Sequence, residues 1–226
     1  MRWRLRQVTA LVGDLDAAVA AVKDELGLSM SLRDDGTTAA ASGISNAWFP
    51  LGSSILEVAS PARPGDATAR FYERYGDGGY MVILQTDSLD AARERLRATE
   101  TRITRELDYP DAKELHLDHR DVGGTILAVD WADPPGSWRW AGPDWPAHVR
   151  THSVTELLCA EVRTPDPETT AERWGELLGR PRRAPATCGR STSTAASSGS
   201  SRPAVTATGG WLALRSGLRL ASPRVR

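Results

Sequence analysis

His116 has Glu114 and Asp118 at two-residue spacing in the string ELHLD. Alternate residues of a strand share a face, so this spacing groups an imidazole with two carboxyls, a set suited to proton transfer or to holding a cation. Glu57 is the second candidate. It interrupts the apolar run ILEV, where an inward carboxyl is either a good metal ligand or a buried acid paired with an arginine. His119 falls at a turn, and His152 in a Trp- and Pro-rich stretch. Cys159 and Cys188 form no CxxC pair, and Cys159 reads as a small buried hydrophobe. The chain has no GxSxG, GxxxxGK[ST], HExxH or GxGxxG, and the string GDGG at 76–79 lacks the Lys-Ser/Thr of a phosphate loop and reads as a turn.

The elements that must position these groups follow from periodicity. Gln7–Val12 reads as a strand, and Asp14 as the N-cap of a helix whose apolar face is Leu15, Val19, Val22 and Leu26, stopped by Gly27. Three further strands follow, over Ser29–Arg33, Ile44–Leu51 and Ser54–Ala59. After a linker at 60–65 and a short helix over Ala67–Tyr75, the order repeats. Strand Tyr80–Thr86 leads to a helix capped by Asp87 or Ser88 with Leu89, Ala92 and Leu96 on one face, then to strands over Arg102–Leu107, Glu114–Asp118 and Thr125–Asp130. Each half alone leaves one sheet face bare. Two halves side by side form an α+β fold, in which paired βαβββ modules make an eight-stranded, incompletely closed, barrel-like sheet with helices outside and a ligand site on the concave face.

Trp131, Trp138, Trp140 and Trp145 are interleaved with prolines and glycines. We read 135–152 as a rigid linker that packs its indoles across a junction, the alternative being an aromatic lid over a pocket. Residues 153–180 repeat the opening strand and helix, with Asp166-Pro167-Glu168 at the helix start and Gly179 at its end, and so begin a second domain. The expected strands do not follow. All 29 acidic residues lie at or before Glu176, while arginines continue to the end. Arginine far outnumbers lysine, as in a GC-rich gene, and reading residues 191–204 one base back, as after a frameshift near 181–190, permits a strand–turn–strand string. Residues 181–226 therefore read as a frameshifted or disordered tail.

The formal net charge of −1 thus averages an acidic body and a basic tail. The acidic body argues against a nucleic-acid partner. No apolar run reaches the roughly 20 residues that cross a bilayer, and the basic start lacks a secretory h-region, so a cytoplasmic protein with no membrane partner is expected.

The strings LRQVTALVGDLDAAVAAVKDELGL, GGYMVILQTDSLDAARERL and HRDVGGTILAVDW resemble the vicinal oxygen chelate superfamily, more narrowly a glyoxalase-like domain protein. The resemblance covers residues 5–134 and, weakly, 154–180, and implies a domain at 1–134 with halves at about 5–60 and 77–134. It implies a divalent metal held by four inward positions, two in each half, that binds vicinal substrate oxygens. Carried over, these fall on Gln7, Glu57, Tyr80 and Ala128. Gln7 and Glu57 are acceptable metal ligands. Neutral Tyr80 is a poor one, and Ala128 has no ligand atom, so the metal site reads as degenerate. A relocated site using Glu57 and His116 is the variant to test.

Three functions compete. The first is a small-molecule binder, lined by Trp48, Phe49, Tyr80 and His116, with homodimerisation covering the sheet edges. The second is a metal-dependent lyase, isomerase or dioxygenase with Glu57 catalytic and Gln7 and Glu57 as ligands. The third is a truncated product without function.

Overall fold

The computed structural model describes residues 1–35, 43–180, 205–208 and 211–214. In chain order, β1 (Trp3–Leu11) leads to α1 (Leu15–Leu26), β2 (Leu32–Asp34), β3 (Ile44–Leu51), β4 (Ser54–Pro61) and α2 (Ala67–Tyr75). The second half repeats this as β5 (Gly78–Thr86), α3 (Leu89–Ala98), β6 (Ile103–Asp108), β7 (Ala112–Leu117) and β8 (Ile126–Ala132). The eight strands form one curled, open sheet in the order β2-β3-β4-β1-β5-β8-β7-β6. β1 runs parallel to β4, β5 runs parallel to β8, and β1 and β5 meet antiparallel at the centre. An internal two-fold therefore passes between β1 and β5, as two like modules side by side require.

The helices start and stop where local chemistry dictates. Asp14 accepts the Ala17 N–H and Ser88 accepts the Ala91 N–H, each capping an orphan donor of the first turn. Gly27 closes α1 in the left-handed region at φ 63°, which glycine enters without steric cost. The expected faces are the buried ones: Leu15, Val19, Val22 and Leu26 on α1, Leu89, Ala92 and Leu96 on α3. They cover the convex side of the sheet, against Val8, Leu56 and Val58 in one half and Val82, Leu84 and Leu127 in the other. Each buried aliphatic contributes about 1.5–3 kcal/mol.

The central pair is interrupted twice. Between Leu5 and Gln7 the register slips past Arg6, and between Thr9 and Ala10 it slips past Tyr80 on the opposite strand. Each is a β-bulge, an extra residue that re-aims a side chain. Arg6 stands eight residues before the N-cap Asp14, and Tyr80 eight before the N-cap Ser88. The bulges are thus related by the two-fold.

The third unit packs on the convex side. β9 (Leu157–Glu161) is followed by α4 (Pro167–Leu178), which has the expected Asp166 cap, Pro167 start and Gly179 stop. Val154 and Leu157 enter the first half's core, and Leu177 enters the second's. The Trp174 indole donates to Val122 O at 3.0 Å, and Trp3 donates to Leu178 O at 3.1 Å. β10 (Val205–Thr208) pairs parallel with β9, and β11 (Trp211–Leu214) antiparallel with β10. The rest of the 181–226 tail, with the frameshift or disorder expected there, lies outside the described residues. Cys159 is half-buried and not a free thiol, which corrects its reading as a small core hydrophobe.

Candidate functional site

Strand register places the polar groups of the concave face in rows. Trp48, Glu57, Thr9 and Met81 are successive cross-strand partners from β3 to β5. The next row runs Ile55, Gln7, Ile83, Ala128, His116. A third holds Gln85, Asp130 and Glu114.

At the centre is a hydrogen-bonded chain. The Trp138 indole donates to Gln7 Oε1 at 2.7 Å, and Gln7 Nε2 donates to Glu57 Oε2 at 2.7 Å. Because an indole N–H can only donate, it fixes the amide with its oxygen toward Trp138 and its nitrogen toward the carboxyl. Thr9 Oγ1 donates to the same Glu57 oxygen at 2.5 Å. Glu57 is only 7% exposed. Burial is the main force that pushes its pKa up to about 7, with the Glu114 carboxylate adding to it, against the two hydrogen bonds and His116. Glu57 therefore stands near half-protonation at neutral pH, in the range for a group that gives and takes a proton.

The curl of the sheet brings the second half to face Glu57. His116 and Glu114 hydrogen-bond each other through Nε2 and Oε1. Asp130 is fully buried. Its Oδ2 accepts the Trp140 indole N–H at 2.8 Å, while desolvation first and Glu114 second push its pKa well above its ordinary value. Tyr80 leans from its bulge with its hydroxyl 3.3 Å from Thr68 Oγ1 and its ring edge-on to Phe71. Burial raises its pKa.

Residues 134–149 close over this face. Trp138 and Trp145 lie in one buried cluster with Trp48, Ile55, Met81, Ile83 and Ala128. Arg6, 1% exposed, organises the strap. It donates to the carbonyls of Ser53, Gly136 and Ser137, and its guanidinium lies 4.8 Å from the Trp138 ring centroid and 4.9 Å from that of Trp145. Burial, then the neighbouring Arg4, lowers its pKa to about 9, so it is a cation at neutral pH. Among the described residues, the buried polar atoms without a hydrogen-bond partner include Arg6 Nε, Trp48 Nε1 and Asp130 Oδ1.

The structure joins Gln7 directly to Glu57, sets Trp48 beside Glu57, and turns Tyr80 and His116 toward the same face. Phe49 is a correction. It alternates with Trp48 and is buried under α1 on the convex side. The counterpart of Gln7 in the second half is Met81, not Tyr80, because Tyr80 is the bulge residue and matches Arg6. Ala128 does occupy the place of Glu57, each one register step past the inner-strand partner. Asp118 does not join His116. It caps the turn at 119–121 and pairs with Arg102 and Arg120. The 135–152 segment, expected as a junction linker, instead lays its indoles into the concave face. Thr9, Asp130 and Arg6 were missed; a polar residue inside an apolar strand was the available signal for the first two.

Gln7 Oε1, the atom a metal would need, is engaged by Trp138. Among the described residues no three His, Cys, Asp or Glu side chains are grouped to hold a metal.

A family model described as a glyoxalase-like domain matches residues 8–178. No curated protein matches the chain. Among solved structures, methylmalonyl-CoA epimerase from Mycobacterium tuberculosis is similar at 22% identity and TM-score 0.51, over 57% of this chain and 87% of that one. A variant of the Streptomyces coelicolor epimerase in complex with 2-nitronate-propionyl-CoA is similar at 17% identity and TM-score 0.53, over 60% of this chain and 98% of that one. A hypothetical protein from Bacillus halodurans gives 15% identity and TM-score 0.52, over 58% and 95%. These likenesses concern the fold.

Proposed function

The chain belongs to the glyoxalase-like domain family of the vicinal oxygen chelate superfamily, and from that premise we propose that it binds a small organic molecule on its concave face through protonatable carboxyls, with the metal site degenerate. The observation that carries this reading is that Trp48 Nε1 and Asp130 Oδ1 are among the buried polar atoms left without a partner. A buried polar atom without a partner costs about 1–3 kcal/mol, and a ligand carrying an acceptor for the indole and a partner for the carboxyl removes that cost. Trp48, Tyr80 and His116 line the site. Glu57, with its pKa near neutral, is the group placed to exchange a proton with the ligand.

The residues present do not fit the divalent metal of the superfamily. Ala128 supplies no donor atom, Met81 faces where a second-half ligand is needed, and the Gln7 carbonyl is engaged by Trp138. No step is therefore routed through a metal.

The test uses the full chain after treatment with a chelator. Tryptophan fluorescence and thermal unfolding are followed against a panel that begins with acyl-CoA thioesters, the ligand type held by one of the structural neighbours. Saturable binding by the chelated protein that weakens about tenfold or more in Trp48→Phe supports the reading. A stoichiometric divalent ion in the purified protein, lost in Glu57→Ala, overturns it.

A further inference from the structure

An open pocket of about 430 Å³ lies between the C-terminal end of α1 and residues 148–152. Lys23, His148, Arg150 and His152 line it together with Ser29 and Met30, and no acidic residue does. None of the four basic side chains takes part in an ion pair among the described residues. On a body whose acidic residues outnumber its basic ones, Lys23 and Arg150 are two cations without an acidic partner, set beside two imidazoles. The negative end of the α1 dipole accounts for one lysine in the last turn. It does not account for three more basic residues delivered to the same cavity by a separate segment.

The groups are held in place. Ser29 Oγ is 3.3 Å from His148 Nδ1. Arg150 Nη1 donates to the carbonyls of Ala147 and Val149 at 3.0 and 2.9 Å. His152 packs so closely on Gly27 that a Cβ there would lie 2.7 Å from its Nε2. Arginine offers a planar fork of donors, lysine a point charge, and imidazole an N–H donor, a combination that suits a multiply charged tetrahedral anion better than a single carboxylate. The volume falls within the roughly 300–1,000 Å³ of small-molecule sites, and Leu28 and Met30 add an apolar wall for an organic portion.

We propose that this cavity is a binding site for the phosphate group of a small phosphorylated molecule. The site is independent of the concave face and does not rest on the function proposed for it.

The test is calorimetric titration of the full chain with inorganic phosphate and with glucose 6-phosphate at matched chloride ionic strength, and with citrate as a polycarboxylate comparator. One saturable phosphate site is expected. Affinity should fall about tenfold in Arg150→Gln and several-fold in Lys23→Gln. Both residues are exposed, so unfolding temperatures without phosphate should stay near that of the unaltered protein. Absence of saturable phosphate binding, unchanged affinity in both variants, or citrate binding more tightly than either phosphate compound would each overturn the proposal.

Discussion

Arg6 and Tyr80 occupy the same place in the two halves, the bulge ahead of the helix N-cap on each central strand. Arg6 is buried, holds three carbonyls and lies against two indoles. Tyr80 is half-buried and shares one hydroxyl contact with Thr68. One step further along each strand, Gln7 extends a hydrogen-bonded chain to Glu57, while Met81 packs in the apolar cluster with Trp48 and Trp138 and continues no such chain. At the parallel neighbours, Glu57 stands against Ala128. A duplicated backbone thus offers the same positions twice. The first half fills them with groups that hold the strap and a proton, and the second fills them with apolar or lightly tied groups and places its own acids, Asp130 and Glu114, a row away.

Arg6→Ala tests that asymmetry most severely. It leaves carbonyls of Ser53, Gly136 and Ser137 without their donor and removes the cation from between Trp138 and Trp145. At about 1–3 kcal/mol for an unsatisfied buried group and about 0.5–2 for a cation–π contact, the variant should lose about 4 kcal/mol in urea unfolding. A loss below about 1 kcal/mol would mean that water replaces the guanidinium and that the strap is not held from this bulge.

Glu57→Gln comes next, and the sign of its effect follows from linkage. The native pKa of Glu57 is raised from 4.5 to about 7. Its contribution to stability is therefore fully present below 4.5 and is lost as pH rises through 7, because the unfolded chain releases the proton first. Unfolding free energy of the unaltered protein should fall between pH 4.5 and 7.5 by about 3 kcal/mol more than that of Glu57→Gln. Asp130 shifts in the same direction in both proteins and cancels in the difference. Equal slopes would place Glu57 in ordinary carboxylate surroundings and remove the proton-exchange role proposed for it.

The sequence displayed the two halves, their helix faces and the lone acid of β4, because these are local patterns: caps, a 3.6-residue period, and one polar residue in an apolar run. It did not display the bulges. A period of two assigns faces only while the register is unbroken, and the slip past Tyr80 moved the predicted counterpart of Gln7 by one residue. Phe49 failed for a related reason. Trp48 and Phe49 are adjacent aromatics in an apolar strand, and a one-residue choice flips the face. The closure of the site by Trp138 was harder still, since its partner Gln7 is 131 residues away in sequence and the strap has no periodicity that could aim an indole.

That strap serves both halves and so allows a finer comparison. Trp138 donates to Gln7 on β1, and Trp140 to Asp130 on β8. In Trp138→Phe the buried amide oxygen of Gln7 loses its donor and Arg6 loses part of its indole contact, which should cost about 2 kcal/mol. In Trp140→Phe the partner is a carboxyl whose raised pKa favours the neutral form and weakens its demand for a donor, and the cost should be about 1 kcal/mol. Denaturant midpoints at constant slope would read both. The reverse order would show that the second half, not the first, anchors the strap.

The smallest effect belongs to Tyr80→Phe. The ring is kept, and with it the edge-on contact to Phe71 at 5.1 Å between centroids. Only the hydroxyl that lies 3.3 Å from Thr68 Oγ1 is removed. That distance is long for two hydroxyls, and Thr68 can rotate to another acceptor, so the change in unfolding free energy should stay within about 0.5–1 kcal/mol. The same variant probes the ligand side of the comparison. If the Tyr80 hydroxyl contacts a bound molecule, ligand affinity should fall about fivefold or more while stability barely moves. If affinity and stability both hold, the second-half bulge supplies a wall and nothing more, and the chemistry of the concave face lies with Glu57 and the residues that hold it.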